Sequence, residues 1–143
     1  MERREFIKKS CSLCLLAGSG ILAETLESCS TLPVYSAIVK DRTVTIPRSL
    51  LTNTPILIVE PGEYEYNIAI EKSAVGDFEA FLLRCTHASN PLTFDGEVFT
   101  CALHGSRFNE HGAVIRGPAA LPLRKLPVRS TDTELFITLP SEN

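Results

Sequence analysis

Within the stretch "CTHASNPLTFDGEVFTCALHGS", residues 85–106, Cys85 and His87 stand one residue apart and Cys101 and His104 two residues apart. Thiolate sulfur and imidazole nitrogen together select soft or borderline ions: zinc, copper, or iron in an iron–sulfur cluster. The chain holds only 5 Cys and 3 His. Both Cys beyond residue 29 and two of the three His fall in this pattern, which coincidence explains poorly. The third histidine, His111, precedes Gly112 and reads as a turn residue.

The elements that must position these side chains read as strands. From Thr31 onward, short segments rich in Val, Ile, Leu, Phe and Tyr alternate with Pro, Gly, Asn and Asp clusters, the punctuation of a small all-β domain. The pattern predicts strands at 34–40, 43–46, 56–60, 66–71, 78–84, 98–101, 113–116 and 134–139. Alternation in "YNIAIE" and "DFEAFLL" predicts strands with one buried and one wet face. Asp95-Gly96 and His111-Gly112 are hairpin signals. The Cys/His pairs are thus expected on two loops joined by a hairpin, able to bring four side chains to one point. No internal repeat and no low-complexity segment is evident.

The two boxes, Cys85-Thr86-His87 and Cys101-Ala102-Leu103-His104-Gly105-Ser106, resemble those of the Rieske iron–sulfur proteins. The stretch that follows, "RFNEHGAVIRGPAALPL", resembles the family's continuation, with a Gly117-Pro118 loop. The resemblance is close over residues 78–130. It implies a small antiparallel β-sandwich or barrel-like domain whose two-loop cluster-binding part covers about 84–122. It also implies a [2Fe–2S] cluster with Cys85 and Cys101 on one iron and His87 and His104 on the other. Neutral imidazoles in place of two thiolates remove negative charge and make an added electron easier to accept. Gly105, Ser106, Phe108, Gly117 and Pro118 would surround the cluster. The family's high-potential members carry an extra Cys in each box, joined as a disulfide; Asn90 and Leu103 fill those positions here. Ser106 matches a hydrogen-bonding Ser of the family, whereas Phe108 replaces a hydrogen-bonding Tyr. These departures predict an intermediate potential and argue against a quinol-oxidising role of the cytochrome bc type. They favour a single-electron carrier working with a reductase or oxidase subunit and carrying out no catalysis alone. The rival readings are a structural zinc module, whose usual spacings pair Cys with Cys and His with His, and a cluster-free envelope binding domain. A mononuclear oxygenase iron would need two further His and a carboxylate, and only His111 is left over. Arg107 reads as a solvated charge or a docking contact.

The 143 residues suit one ordinary domain, and a net charge of -3 gives no basic surface for nucleic acid. Ahead of it, "MERREFIKKSCSLCLLAGSGILAE" combines a basic start with an apolar run of 13 residues, Cys11 to Ala23. Spanning a bilayer takes about 20 residues, so the run reads as a signal core, with Cys11 and Cys14 as small hydrophobes within it. Arg3-Arg4 followed by Phe6-Ile7-Lys8 resembles the twin-arginine export motif, which serves proteins folded around a cofactor before export. "LESC", Leu26 to Cys29, resembles a lipoprotein cleavage box and makes Cys29 a candidate lipid attachment site. The expected organisation is a signal or anchor segment at 1–28 and a cluster-binding domain at 29–143. The domain would lie in the bacterial cell envelope on the periplasmic side, held to a membrane by the lipid or the N-terminal segment.

Overall fold

The structure, a computed structural model, describes residues 34–73 and 75–141. The signal motif and Cys29 lie outside the described residues. In chain order the strands are β1 (Val34–Ser36), β2 (Val39–Lys40), β3 (Thr43–Pro47), β4 (Ile56–Glu60), β5 (Ile68–Lys72), β6 (Phe78–Leu82), β7 (Thr93–Phe94), β8 (Phe99–Thr100), β9 (Arg107–Phe108), β10 (Val114–Arg116), β11 (Lys125–Leu126), β12 (Val128–Ser130) and β13 (Glu134–Thr138). One 3-10 turn, Arg48–Leu51, links β3 to β4. The domain is all-β.

Three sheets result. A five-stranded sheet runs β1-β4-β5-β6-β11; a second runs β12-β13-β3-β2; a third, small one runs β10-β9-β8-β7. All pairs are antiparallel except β1 with β4. The five-stranded sheet is the middle layer. Leu57, Val59, Ile68, Ile70, Ala80 and Leu82 point one way and pack on Val44, Ile46, Leu135 and Ile137 of the second sheet. Ile58, Ala69, Phe81 and Leu83 point the other way, into a separate core with Leu92, Phe99, Phe108 and Leu123.

This layering corrects one expectation. β5 and β6 have no wet face along their cores: Ile68, Ala69, Ile70, Ala80, Phe81 and Leu82 are all buried. Both faces are covered, so these strands read as near-continuous apolar runs, the pattern of a sheet packed between layers. The alternation in their sequence is large against small: Ala69 and Ala80 occupy the tighter sites. β3 and β13, at the outside of the fold, do alternate buried and exposed residues. The segment expected as one strand at 34–40 is split between two sheets, with Ala37 buried at the break and its N–H bonded to the Glu60 carbonyl. The strand expected from Tyr66 begins at Ile68.

The third sheet forms a lobe inserted between β6 and β11, the part that holds both Cys/His boxes. Its first hairpin turns at Asp95-Gly96 as expected. Gly96 takes φ 106, and Asp95 Oδ1 accepts the N–H groups of Glu97 (3.0 Å) and Val98 (2.9 Å). The Val98 and then the Glu97 N–H hold the Asp95 carboxyl below its ordinary value. The second turn is built by Asn109, whose Oδ1 accepts from His111 N (3.1 Å) and Ala113 N (2.8 Å), with Gly112 at φ 74.

Candidate metal centre

Each Cys/His box is one tight loop, and the two loops share a hydrogen-bond plan. In the first, the Cys85 N–H bonds the Asn90 carbonyl (2.8 Å) and the Ser89 N–H bonds the Cys85 carbonyl (2.9 Å). In the second, the Cys101 N–H bonds the Ser106 carbonyl (2.9 Å) and the Gly105 N–H bonds the Cys101 carbonyl (2.9 Å). The residue four places after each Cys turns left-handed: Ser89 at φ 56 and Gly105 at φ 76. The sequence shows no repeat, yet the backbone makes the same turn twice.

The paired turns sort the four side chains by type. Cys85 and Cys101 are buried together in the lobe core, in one cluster with Phe99 and Phe108. His87 and His104 are exposed, with ring centroids 5.0 Å apart and planes at 88°. Among the described residues no three His, Cys, Asp or Glu side chains gather as ligands of one ion do. The donors form two like pairs, sulfur inside and nitrogen outside. One tetrahedral zinc needs all four donors about a single ion. A Rieske [2Fe–2S] cluster takes two Cys on one iron and two His on the other, so the donor set fits that group. Burial pushes the Cys101 thiol up, but the backbone N–H groups of His104 and Leu103 and the Cys85 thiol outweigh it, leaving a net downward shift. A thiol so placed gives its proton to a metal more readily.

A third loop closes over the site. The fully buried Ser106 Oγ accepts the Ala119 N–H (3.0 Å), and Thr86 Oγ1 donates to the Leu121 carbonyl (2.7 Å). The loop of Gly117 and Pro118, joined by a cis peptide bond, is therefore fastened to both boxes. Position 90 is Asn, donating from Nδ2 to the Ala88 carbonyl (3.0 Å), and position 103 is a Leu 63% exposed; Cys85 and Cys101 are free cysteines. Phe108 is fully buried. Arg107 lies half-buried in β9, opposite Thr100. Of the residues expected around the site, Ser106 and Phe108 line the lobe core, Gly105 makes the turn, and Pro118 is exposed.

Sequence reasoning missed Thr86, whose partner lies 35 residues away. It also missed a second role for His111, which does sit in a turn. Its Nδ1 is 3.0 Å from both carboxylate oxygens of the buried Glu71 on β5, joining the lobe to the middle sheet.

Residues 51–127 match the family of the Rieske [2Fe-2S] domain. The cytochrome b6-f complex iron-sulfur subunit 1 of Synechocystis sp. is 41% identical over 79 residues, 54% of this chain and 44% of that protein. Subunit 3 of Nostoc sp. is 43% identical over 56 residues, 39% of this chain and 30% of that protein. The chain thus spans less than half the length of these curated relatives. Among solved structures, a cyanobacterial plasma membrane Rieske protein from Synechocystis has a TM-score of 0.51 at 19% identity, covering 65% of this chain and 95% of that one. A naphthalene 1,2-dioxygenase has a TM-score of 0.53 at 18% identity, covering 67% of this chain and 25% of that one. At such identities the likeness is one of fold. The chain belongs to the Rieske [2Fe-2S] family, whose cofactor is the [2Fe–2S] cluster.

Proposed function

We propose that this chain is a single-electron carrier in which Cys85 and Cys101 hold one iron and His87 and His104 the other. The observation that carries the reading is the sorting of donors into a buried sulfur pair and an exposed nitrogen pair. When bound, the cluster accepts and releases one electron. The protein's own part is to keep water from the sulfur side through Leu92, Phe99 and Phe108, and to present the imidazole edges at the surface. Leu103 on the second ligand loop, 63% exposed, and Leu121 on the third loop, 66% exposed, add apolar surface on which a redox protein partner can rest. The partner we propose is a subunit of an envelope oxidoreductase, in keeping with relatives named as subunits of a larger complex. Catalysis belongs to that assembly and not to this chain alone.

Residues 1–28 serve, in this reading, as a twin-arginine-type export segment, and residues 29–143 as the cluster-binding domain. Lipid on Cys29 or the retained segment itself holds the domain to the membrane on its periplasmic side. The motif at Arg3-Arg4 and the "LESC" box support this. No helix of the described residues is long and apolar enough to cross a membrane.

The test is purification without added metal. The protein is expected to be brown, to carry about two iron and two sulfide per chain, and to turn paramagnetic on reduction. Cys101→Ser is expected to abolish all three signs. Colourless protein holding stoichiometric zinc would overturn the assignment.

A further inference from the structure

We infer that Tyr66 and Arg84 are positioning residues for the first ligand loop; this rests on the proposal that Cys85 and His87 are ligands. The geometry converges on Ser89. Tyr66, buried just before β5, donates its hydroxyl to the Ser89 carbonyl at 2.8 Å. Arg84 Nη2 donates to Ser89 Oγ at 2.6 Å. The Arg84 guanidinium also lies 5.4 Å over the Tyr66 ring, so the two donors brace each other.

Comparison of the twin loops explains why Ser89 needs holding. The equivalent place in the second loop is Gly105, which takes φ 76 without a Cβ to strain. Ser89 takes φ 56 with a Cβ and a strained backbone that only surrounding contacts can maintain. A glycine there would relieve the strain but would remove the hydroxyl that Arg84 grips. Ser89 in turn donates its N–H to the Cys85 carbonyl and stands two residues from His87. Fixing Ser89 therefore fixes the turn that aims one sulfur and one imidazole. Tyr66 comes from the base of the domain, so the hold anchors the loop to the middle sheet and not to its neighbour loop. The Asn90 side chain reaches only its own loop, at the Ala88 carbonyl.

The test compares Tyr66→Phe, Arg84→Gln, Arg84→Gln with Ser89→Gly, and Val44→Ala, a remote core control. Amide exchange is read on the protein as isolated, and loss of visible absorbance in excess chelator is read on the cluster-loaded fraction. Tyr66→Phe is expected to speed exchange at residues 85–90 roughly fivefold, the worth of one neutral hydrogen bond, with residues 101–106 unchanged. It should also shorten the life of the colour several-fold. Adding Ser89→Gly to Arg84→Gln is expected to lengthen that life again, because glycine needs no clasp. Unchanged exchange in Tyr66→Phe, an equal effect from Val44→Ala, or no recovery with Ser89→Gly would overturn the inference. Wild-type protein isolated without colour would instead sink the ligand assignment, and the exchange measurement would still decide the role of Tyr66.

Discussion

Ser106 spends its oxygen on the Ala119 N–H, which leaves its hydroxyl proton to be given elsewhere in the buried centre. Ser106→Ala removes both. The Ala119 N–H loses its partner in a buried place, which costs about 1–3 kcal/mol of stability. On the proposed ligand set, a donor to the cluster, which would favour its reduced form, is also lost. Since 59 mV corresponds to a tenfold change for one electron, the midpoint should fall by roughly 50 mV, as read in a dye-coupled titration. Phe108 supplies no hydroxyl, so the wild-type midpoint itself is expected inside the family span of about −150 to +300 mV but below its top. A value at the upper end would show that the missing hydroxyl does not matter. The candidate ligands were legible because their spacing is local. Thr86, Tyr66 and Glu71 were not, because a hydrogen bond to a residue 23 to 40 places away leaves no spacing to read.

At the scale of elements, the lobe meets the middle sheet through His111 and Glu71. The side-chain bond to Glu71 leads the causes that raise His111 above its ordinary 6.5, with the Glu71 and Glu110 charges adding to it. A raised base stabilises the fold fully below about 6.5, and this is lost as pH climbs through the higher folded value. The melting-temperature gap between wild type and His111→Gln should therefore be widest in mild acid and close in alkali. His111 is 66% exposed in its side chain, so the effect stays below about 1 kcal/mol. A gap that widens with pH would contradict this linkage. The adjacent turn is less forgiving. A Cβ on Gly112 would lie 2.9 Å from Phe81 Cδ1 and 3.2 Å from Leu123 Cβ at a left-handed φ, whereas one on Gly105 meets nothing within 4 Å. Gly112→Ala is expected to cost about 2–4 kcal/mol and Gly105→Ala about 1, measured by denaturant unfolding. Of the strands, β3, β4, β6 and β13 were legible from composition. β7, β9, β11 and β12 are two or three residues long and owe their existence to pairing, which no short window encodes.

At the scale of the whole molecule, two cores among the described residues share one sheet. The unit Leu32–Asn143 is compact by itself. A chain beginning at Leu32 should then melt at the full-length temperature and keep the same visible spectrum; a lower melting temperature would reveal a contribution from the leading segment. The all-β class was legible from turn punctuation. The burial of both faces of the middle sheet was not, because alternating Ala with larger residues mimics a wet face. The lobe leaves that sheet at β6 and returns at β11, strands that pair Ala80 with Leu126 and Phe81 with Lys125 and are latched by Lys125 and Glu79 at 2.7 Å. Its two ends are therefore already held together, so the roughly 3 kcal/mol entropy of closing a loop of this length is met by the base. Folding of the lobe therefore begins from a closed ring instead of an open chain, whatever the lobe comes to hold.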